Sequence, residues 1–117
     1  MYVSNIKHVE KEKVVMEGAE GVWIQWLIAR KEGAPNYAMR LFTLEPGGKI
    51  PIHSHEWEHE IFFLEGKGMV GAGEDEKEVE AGSFAYIEPE IPHWYRNTGN
   101  ENWKFLCIIP LKGAGKR

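Results

Sequence analysis

The chain is poor in the residues that would place it in several large classes. It has one cysteine, Cys107, so no intrachain disulfide can form, and a lone thiol accords with a cytoplasmic location. No apolar run approaches the roughly 20 residues that a membrane-spanning helix needs. The opening, MYVSNIKHVEKEK, lacks the basic-then-apolar order of a secretory signal. Basic residues are outnumbered, 14 against 18 acidic ones, and the net charge of -4 argues against nucleic acid or an anionic membrane as partner. The acidic residues include a single aspartate, Asp75, and glutamine occurs once, at Gln25. Such enrichment in Glu and Lys with few thermolabile amides leans towards a thermophile. Repeats and low-complexity segments are absent, and helical periodicity leaves only a faint trace near the N-terminus.

What is present reads as strands. At 117 residues the chain is long enough for one domain with a real core. Apolar runs of strand length alternate with Gly and Pro at short intervals, the pattern of a sandwich or barrel. Strands are expected at Val22–Ala29, Tyr37–Leu44, Ile50–His55, His59–Glu65, Gly68–Gly71, Lys77–Val79, Ser83–Glu88, His93–Asn97 and Trp103–Ile109. Breakers such as Pro46-Gly47-Gly48, Gly66, Gly82 and Pro92 fall between them. The acidic run Gly73–Glu80 reads as a solvated hairpin, and the Gly-rich, charged tail Lys112–Arg117 as a frayed end. Val22–Ile28 is apolar on both faces and needs cover on both. A homodimer in which residues 1–29 form the interface, with Trp23 and Trp26 in it, is the first expectation. The alternative is a monomer whose N-terminal segment folds over this strand.

Four of the five histidines lie in two strand-like segments: His53, His55 and His59 in PIHSHEWEHEIFFLEGKG, and His93 in PEIPHWYRN. Imidazole is a frequent transition-metal ligand and binds neutral. Side chains on a strand point to alternate faces, so His53 and His55 share a face and His59 can return to it. A remote strand carrying His93 could close the site. An isolated histidine is more often a satisfied core or surface residue, but this spacing is hard to obtain by chance. His53, His55, His59 and His93 are therefore the candidate metal ligands.

These residues resemble the cupins, small metal-binding β-barrels of jelly-roll type. The first cupin motif, G-x5-H-x-H-x3,4-E-x6-G, matches at Gly47, His53, His55 and Gly66. The second, G-x5-P-x-G-x2-H-x3-N, matches at Gly82, His93 and Asn97, with Glu88 and Glu90 in place of its proline and central glycine. The resemblance implies an all-β jelly-roll with a barrel core of about residues 37–110. Where the family usually carries a glutamate ligand, this chain has His59. Its neighbour Glu60 should point away, because adjacent strand residues face opposite sides. The chain is thus most similar to single-domain cupins with four histidines, and that likeness implies manganese, with Fe, Ni, Cu or Zn also able to bind.

Four neutral ligands leave a divalent metal its full charge and, in octahedral geometry, two open positions, which is a catalytic arrangement. Alternation from His59 turns Ile61 and Phe63 inward, and alternation from His93 turns Tyr95 inward. The last strand has two registers, one placing Phe105, Cys107 and Ile109 inside, the other Leu106 and Ile108. Cys107 is either a thiol near the metal or a small buried hydrophobe. Arg40 could bind a substrate anion or pair with an outer glutamate, and Glu58 and Glu60 could orient imidazoles from behind. The expected pocket is Arg40, Ile61, Phe63, Tyr95, Phe105 and Cys107, mostly apolar and suited to a small apolar or aromatic substrate. The leading expectation is a dioxygenase-like oxidoreductase using dioxygen or a peroxide. A non-redox isomerase or lyase, or a metal protein without turnover, are the alternatives.

Overall fold

The computed structural model describes every residue from Met1 to Arg117. Nine strands form it: β1 (Glu12–Lys13), β2 (Glu20–Ile28), β3 (Tyr37–His53), β4 (His59–Glu65), β5 (Lys67–Ala72), β6 (Asp75–Glu80), β7 (Phe84–Ile87), β8 (His93–Arg96) and β9 (Trp103–Pro110). Short 3-10 turns at Ile6–His8, Arg30–Glu32 and Leu111–Ala114 are its helical pieces, and no helix is long and apolar enough to cross a membrane. The strands run in the order β6-β5-β8-β3-β9-β4-β7, with β2 added on β3 and β1 on β2. All neighbours are antiparallel. The sheet curls into a nearly closed β-barrel of jelly-roll type.

Strand periodicity explains the core. In β9, Trp103, Phe105, Cys107 and Ile109 are buried while the residues between them are half-buried, so the register with Cys107 inside is the one adopted. In β4, His59, Ile61 and Phe63 are buried and Glu60 and Phe62 exposed. The acidic β5–β6 hairpin turns at Gly73 and Glu74 and leaves β6 mostly in solvent.

Three expectations change. Pro46-Gly47-Gly48 does not end a strand, because β3 runs through it from Tyr37 to His53. Gly47 takes a positive φ of 79°, which glycine adopts without steric cost. A Cβ on Gly48 would sit 2.8 Å from the Glu45 carbonyl oxygen, so the bend needs both glycines. The C-terminal tail is docked, with Leu111 and Ala114 buried and Arg117 paired with Glu12. Trp26 does not share an outer face with Trp23. The two are an odd number of residues apart on β2, so alternation sends Trp26 into the barrel, while the Trp23 indole donates to Glu45 at 2.7 Å. The N-terminal segment does fold over part of β2, where Gln25 Nε2 donates to the carbonyls of Ile6 and Val9, both at 3.1 Å.

Candidate metal centre

Three strands and one turn deliver the four histidines. His53 ends β3, His55 lies in the turn that follows, His59 opens β4, and His93 opens β8. Local backbone irregularity matters here. Ile50 pairs with Tyr95 and His53 with His93, so β3 carries one extra residue between those pairs. A bulge of this kind re-aims side chains. It lets Ile50 and His53 both face the cavity while Ile52 is 63% exposed between them. Strict alternation would have put Ile50 and His53 on opposite faces.

The rings converge. Centroids lie 4.3 Å apart for His53–His93, 4.9 Å for His53–His55, 4.6 Å for His59–His93 and 5.4 Å for His55–His59. Ligand nitrogens of His53, His55 and His93 fall within 4.8 Å of one another, a triad that could hold a metal ion. His59 adjoins the triad from β4, its ring 4.6 Å from that of His93, but it falls outside the 4.8 Å group. The backbone sets the tautomers of two rings: a carbonyl can only accept, so His53 Nδ1 donates to Pro51 O at 2.7 Å and His93 Nδ1 to Ile91 O at 2.9 Å. The other nitrogen of each, Nε2, is then an acceptor when the ring is neutral. These carbonyls do the orienting that Glu58 and Glu60 were expected to offer.

Two buried ring nitrogens, His59 Nδ1 and His93 Nε2, have no hydrogen-bond partner. Native proteins rarely leave such atoms unsatisfied, and a missing ion is one recognised reason. Burial and repulsion from neighbouring cations favour the neutral form of His55, His59 and His93. Desolvation, aided by the charges of His53, His93 and Arg40, lowers the His55 pKa to about 4. Desolvation likewise brings His59 to about 3, and it lowers His93 against the opposing hydrogen bond to Ile91. Neutral imidazole is the ligating form, so the donor set fits a divalent transition metal.

Above the histidines lies a cavity of about 340 Å³. Of the expected pocket residues, Arg40, Tyr95 and Cys107 line it. Ile61, Phe63 and Phe105 are buried but sit in the core instead. Arg40 finds no glutamate; its Nη2 donates to Cys107 Sγ at 2.9 Å. Burial raises the Cys107 pKa despite the guanidinium, so the group is a neutral thiol. Burial also pushes the Tyr95 hydroxyl well above its ordinary value.

Sequence reasoning missed much of the apolar wall: Ile24, Trp26, Phe42, Ile50 and Trp57. Trp57 had a readable signal, since it continues the odd-numbered series of His53 and His55, and its indole stacks on His55 at 4.5 Å and 7°. The mouth is built from the two ends of the chain. Glu12 and Arg117 both line the cavity and pair in bidentate fashion at 2.6 and 3.0 Å. The Arg117 guanidinium holds the Glu12 carboxyl below its usual range and lies 5.0 Å over the Trp26 ring. Gly113 packs so closely on Trp57 that a Cβ there would come within 2.6 Å of the indole.

Fold and site together define a small antiparallel β-barrel with a histidine cluster able to hold a metal at one end of its interior. The chain belongs to the cupins: the Cupin domain family model matches residues 40–109. It is 33% identical over 100 residues to an oxalate-binding protein of Thermotoga maritima, covering 82% of each chain. Among solved structures it resembles the polyketide cyclase RemF from Streptomyces resistomycificus, with a TM-score of 0.89 and 30% identity over 95% of this chain and 80% of that one. A predicted oxalate decarboxylase from Thermotoga maritima superposes with a TM-score of 0.83 at 26% identity, covering 94% of this chain and 99% of the other.

Proposed function

We propose that this cupin is a metal-dependent oxidoreductase of dioxygenase-like type acting on a small organic molecule. His53, His55, His59 and His93 hold one divalent metal, manganese before iron, nickel, copper or zinc. The observation that carries the metal in this reading is the pair of buried, partnerless nitrogens, His59 Nδ1 and His93 Nε2, on two rings that burial disposes to the neutral form. The metal supplies Lewis acidity and, if redox-active, electrons for chemistry with dioxygen or a peroxide. The chain's own part is to fix the imidazoles through Pro51 and Ile91 and to exclude water with Trp26, Phe42 and Trp57. The neutral Tyr95 hydroxyl and Cys107 thiol supply weakly acidic groups beside the substrate. A carboxylate free to act as general base is absent from the lining, since Glu12 is held by Arg117.

The names borne by similar proteins, a polyketide cyclase and a predicted oxalate decarboxylase, favour a second reading in which the metal polarises a carbonyl without net oxidation. Elemental analysis of untagged protein, followed by oxygen uptake with small diketones and aryl alkenes, separates the two. About one metal per chain, lost in His59→Ala and kept in Glu60→Ala, is the expected result; the reverse pattern would overturn the ligand set. Metal binding without oxygen uptake on any of these compounds would move the assignment to the non-redox reading.

The single buried thiol accords with a cytoplasmic setting. A homodimer also belongs to this reading, now with the face of β4 and β7 as the contact surface in place of residues 1–29. Phe62 and Phe84 are paired neighbours on β4 and β7, 46% and 81% exposed, with Tyr86 beside them. Exposed apolar patches of this kind commonly mark contact surfaces. Light scattering should give twice the chain mass; the mass of one chain would refute pairing.

A further inference from the structure

The charge balance around the cavity is inverted relative to the whole chain. The protein carries a net charge of -4, yet Glu12 is the only carboxylate among the cavity-lining residues and Arg117 already neutralises it. Arg40 remains. It lies on β3 with its guanidinium over the rings of Phe42 at 5.0 Å and Trp26 at 5.5 Å. Its one side-chain partner is the Cys107 sulfur, and its Nε is buried without any partner. The aromatic faces stabilise a cation and fix its place, but they accept none of its in-plane N–H groups. A guanidinium presents five donors in a fork that matches a carboxylate or enolate. A partly buried cation without a counter-charge is costly, and a bound anion removes that cost.

The rest of the lining sets the body of the ligand. Ile24, Trp26, Phe42, Ile50 and Trp57 surround a volume of about 340 Å³, far more than a two-carbon diacid fills. We propose that the cavity takes a small organic monoanion with an aromatic or branched apolar body, its charged oxygens gripped by Arg40. The inference deepens the reading above and rests on it in taking this cavity as the substrate site.

The test is a binding measurement that needs no turnover. Benzoate and its neutral isostere benzamide are titrated into the full chain, metal-free and zinc-loaded, and followed by calorimetry and by tryptophan fluorescence, which Trp26 and Trp57 report. Benzoate should bind about tenfold or more tightly than benzamide, as expected when a charge-assisted hydrogen bond is gained. Arg40→Gln should abolish that preference and Arg40→Lys should retain part of it. Equal binding of the two compounds by the unaltered chain would overturn the proposal, as would absence of benzoate binding at millimolar concentration. So would an undiminished preference in Arg40→Gln. The wild-type comparison stands even if that variant fails to fold. Should the chain prove devoid of oxygen chemistry while benzoate is still preferred, the oxidoreductase reading fails and this one stands.

Discussion

The two ends of the barrel interior are built from the same strands and serve different purposes. Inward residues on β4 run from His59 through Ile61 to Phe63, and those on β8 from His93 to Tyr95. On the antiparallel β9 the order is reversed, from Trp103 and Phe105 to Cys107. Successive inward positions on a strand lie ~7 Å apart, so one end collects histidines and the other collects aromatic rings. The aromatic end is a dry plug: Phe63 stacks on Trp103 at 5.6 Å, while Phe105 lies 5.0 Å from Trp103 and 5.1 Å from Tyr95. Phe63, Trp103 and Phe105 are at most 1% exposed. The histidine end keeps open volume and three buried polar atoms without partners, on Arg40, His59 and His93, against one at the plug, Trp103 Nε1. Rigidity at the plug lets the other end hold polar groups that gain nothing from folding alone.

Substitutions at the two ends should therefore separate stability from metal binding. The largest effect expected is at the plug. Phe105→Ala removes a ring packed against four others, Phe42, Phe63, Tyr95 and Trp103, and should cost ~3–5 kcal/mol of unfolding free energy, read from urea melts. Metal content per folded chain should stay at the wild-type value. If Phe105→Ala emptied the histidine site at temperatures where the fold persists, the two ends would not be independent.

A pH series sharpens the same contrast from the histidine side. In the folded, metal-free chain His55 and His59 titrate near 4 and 3, against 6.5 for an unperturbed imidazole. Below pH 6.5 the unfolded chain therefore binds protons that the folded chain refuses. Their contribution is complete above that value and is lost as pH falls towards the folded pKa values. The metal-free protein should hold a steady midpoint above about pH 7 and lose stability progressively from pH 6.5 downward. His59→Ala should flatten the slope, and Phe105→Ala should leave it unchanged while lowering the whole curve. A slope unaffected by His59→Ala would mean that the burial of this ring is not what couples protons to folding.

The strand pattern was readable where one physical rule operates alone. Alternation in Trp103–Ile109 and His59–Glu65 predicts both the strands and, from His59, the inward face of β4. It fails where a backbone irregularity resets the count. Pro51 is a local hint of irregularity in Ile50-Pro51-Ile52-His53, since proline inside a sheet favours edges and bulges, but that the bulge turns both Ile50 and His53 inward follows from pairing with β8. The pairing of Glu12 with Arg117 joins opposite ends of the chain, a separation across which local spacing carries no information. Arg40 was readable as an oddity in an apolar run, but its neighbours Trp26 and Cys107 come from β2 and β9. Only the register of three adjacent strands places them together.

The smallest effect expected lies at the joint between the two histidine segments. Glu90 is the one non-glycine residue with a positive φ, 71°, and it stands where the second cupin motif has glycine. It sits in the turn before His93, and its N–H donates to the His55 carbonyl at 2.7 Å. That bond ties the backbone ahead of His93 to the backbone at His55, so the strained conformation keeps the two segments in register. A left-handed conformation costs an L-residue roughly 1–2 kcal/mol, and glycine relieves it. Glycine also adds about 0.5–1 kcal/mol of unfolded-state freedom, which offsets part of the gain. Glu90→Gly should thus raise stability by at most about 1.5 kcal/mol, a few degrees in melting temperature for a chain of this size. Metal affinity should not change, because the bond to His55 is made by the main chain. A fall in melting temperature would show that the Glu90 side chain, and not its backbone alone, holds the joint.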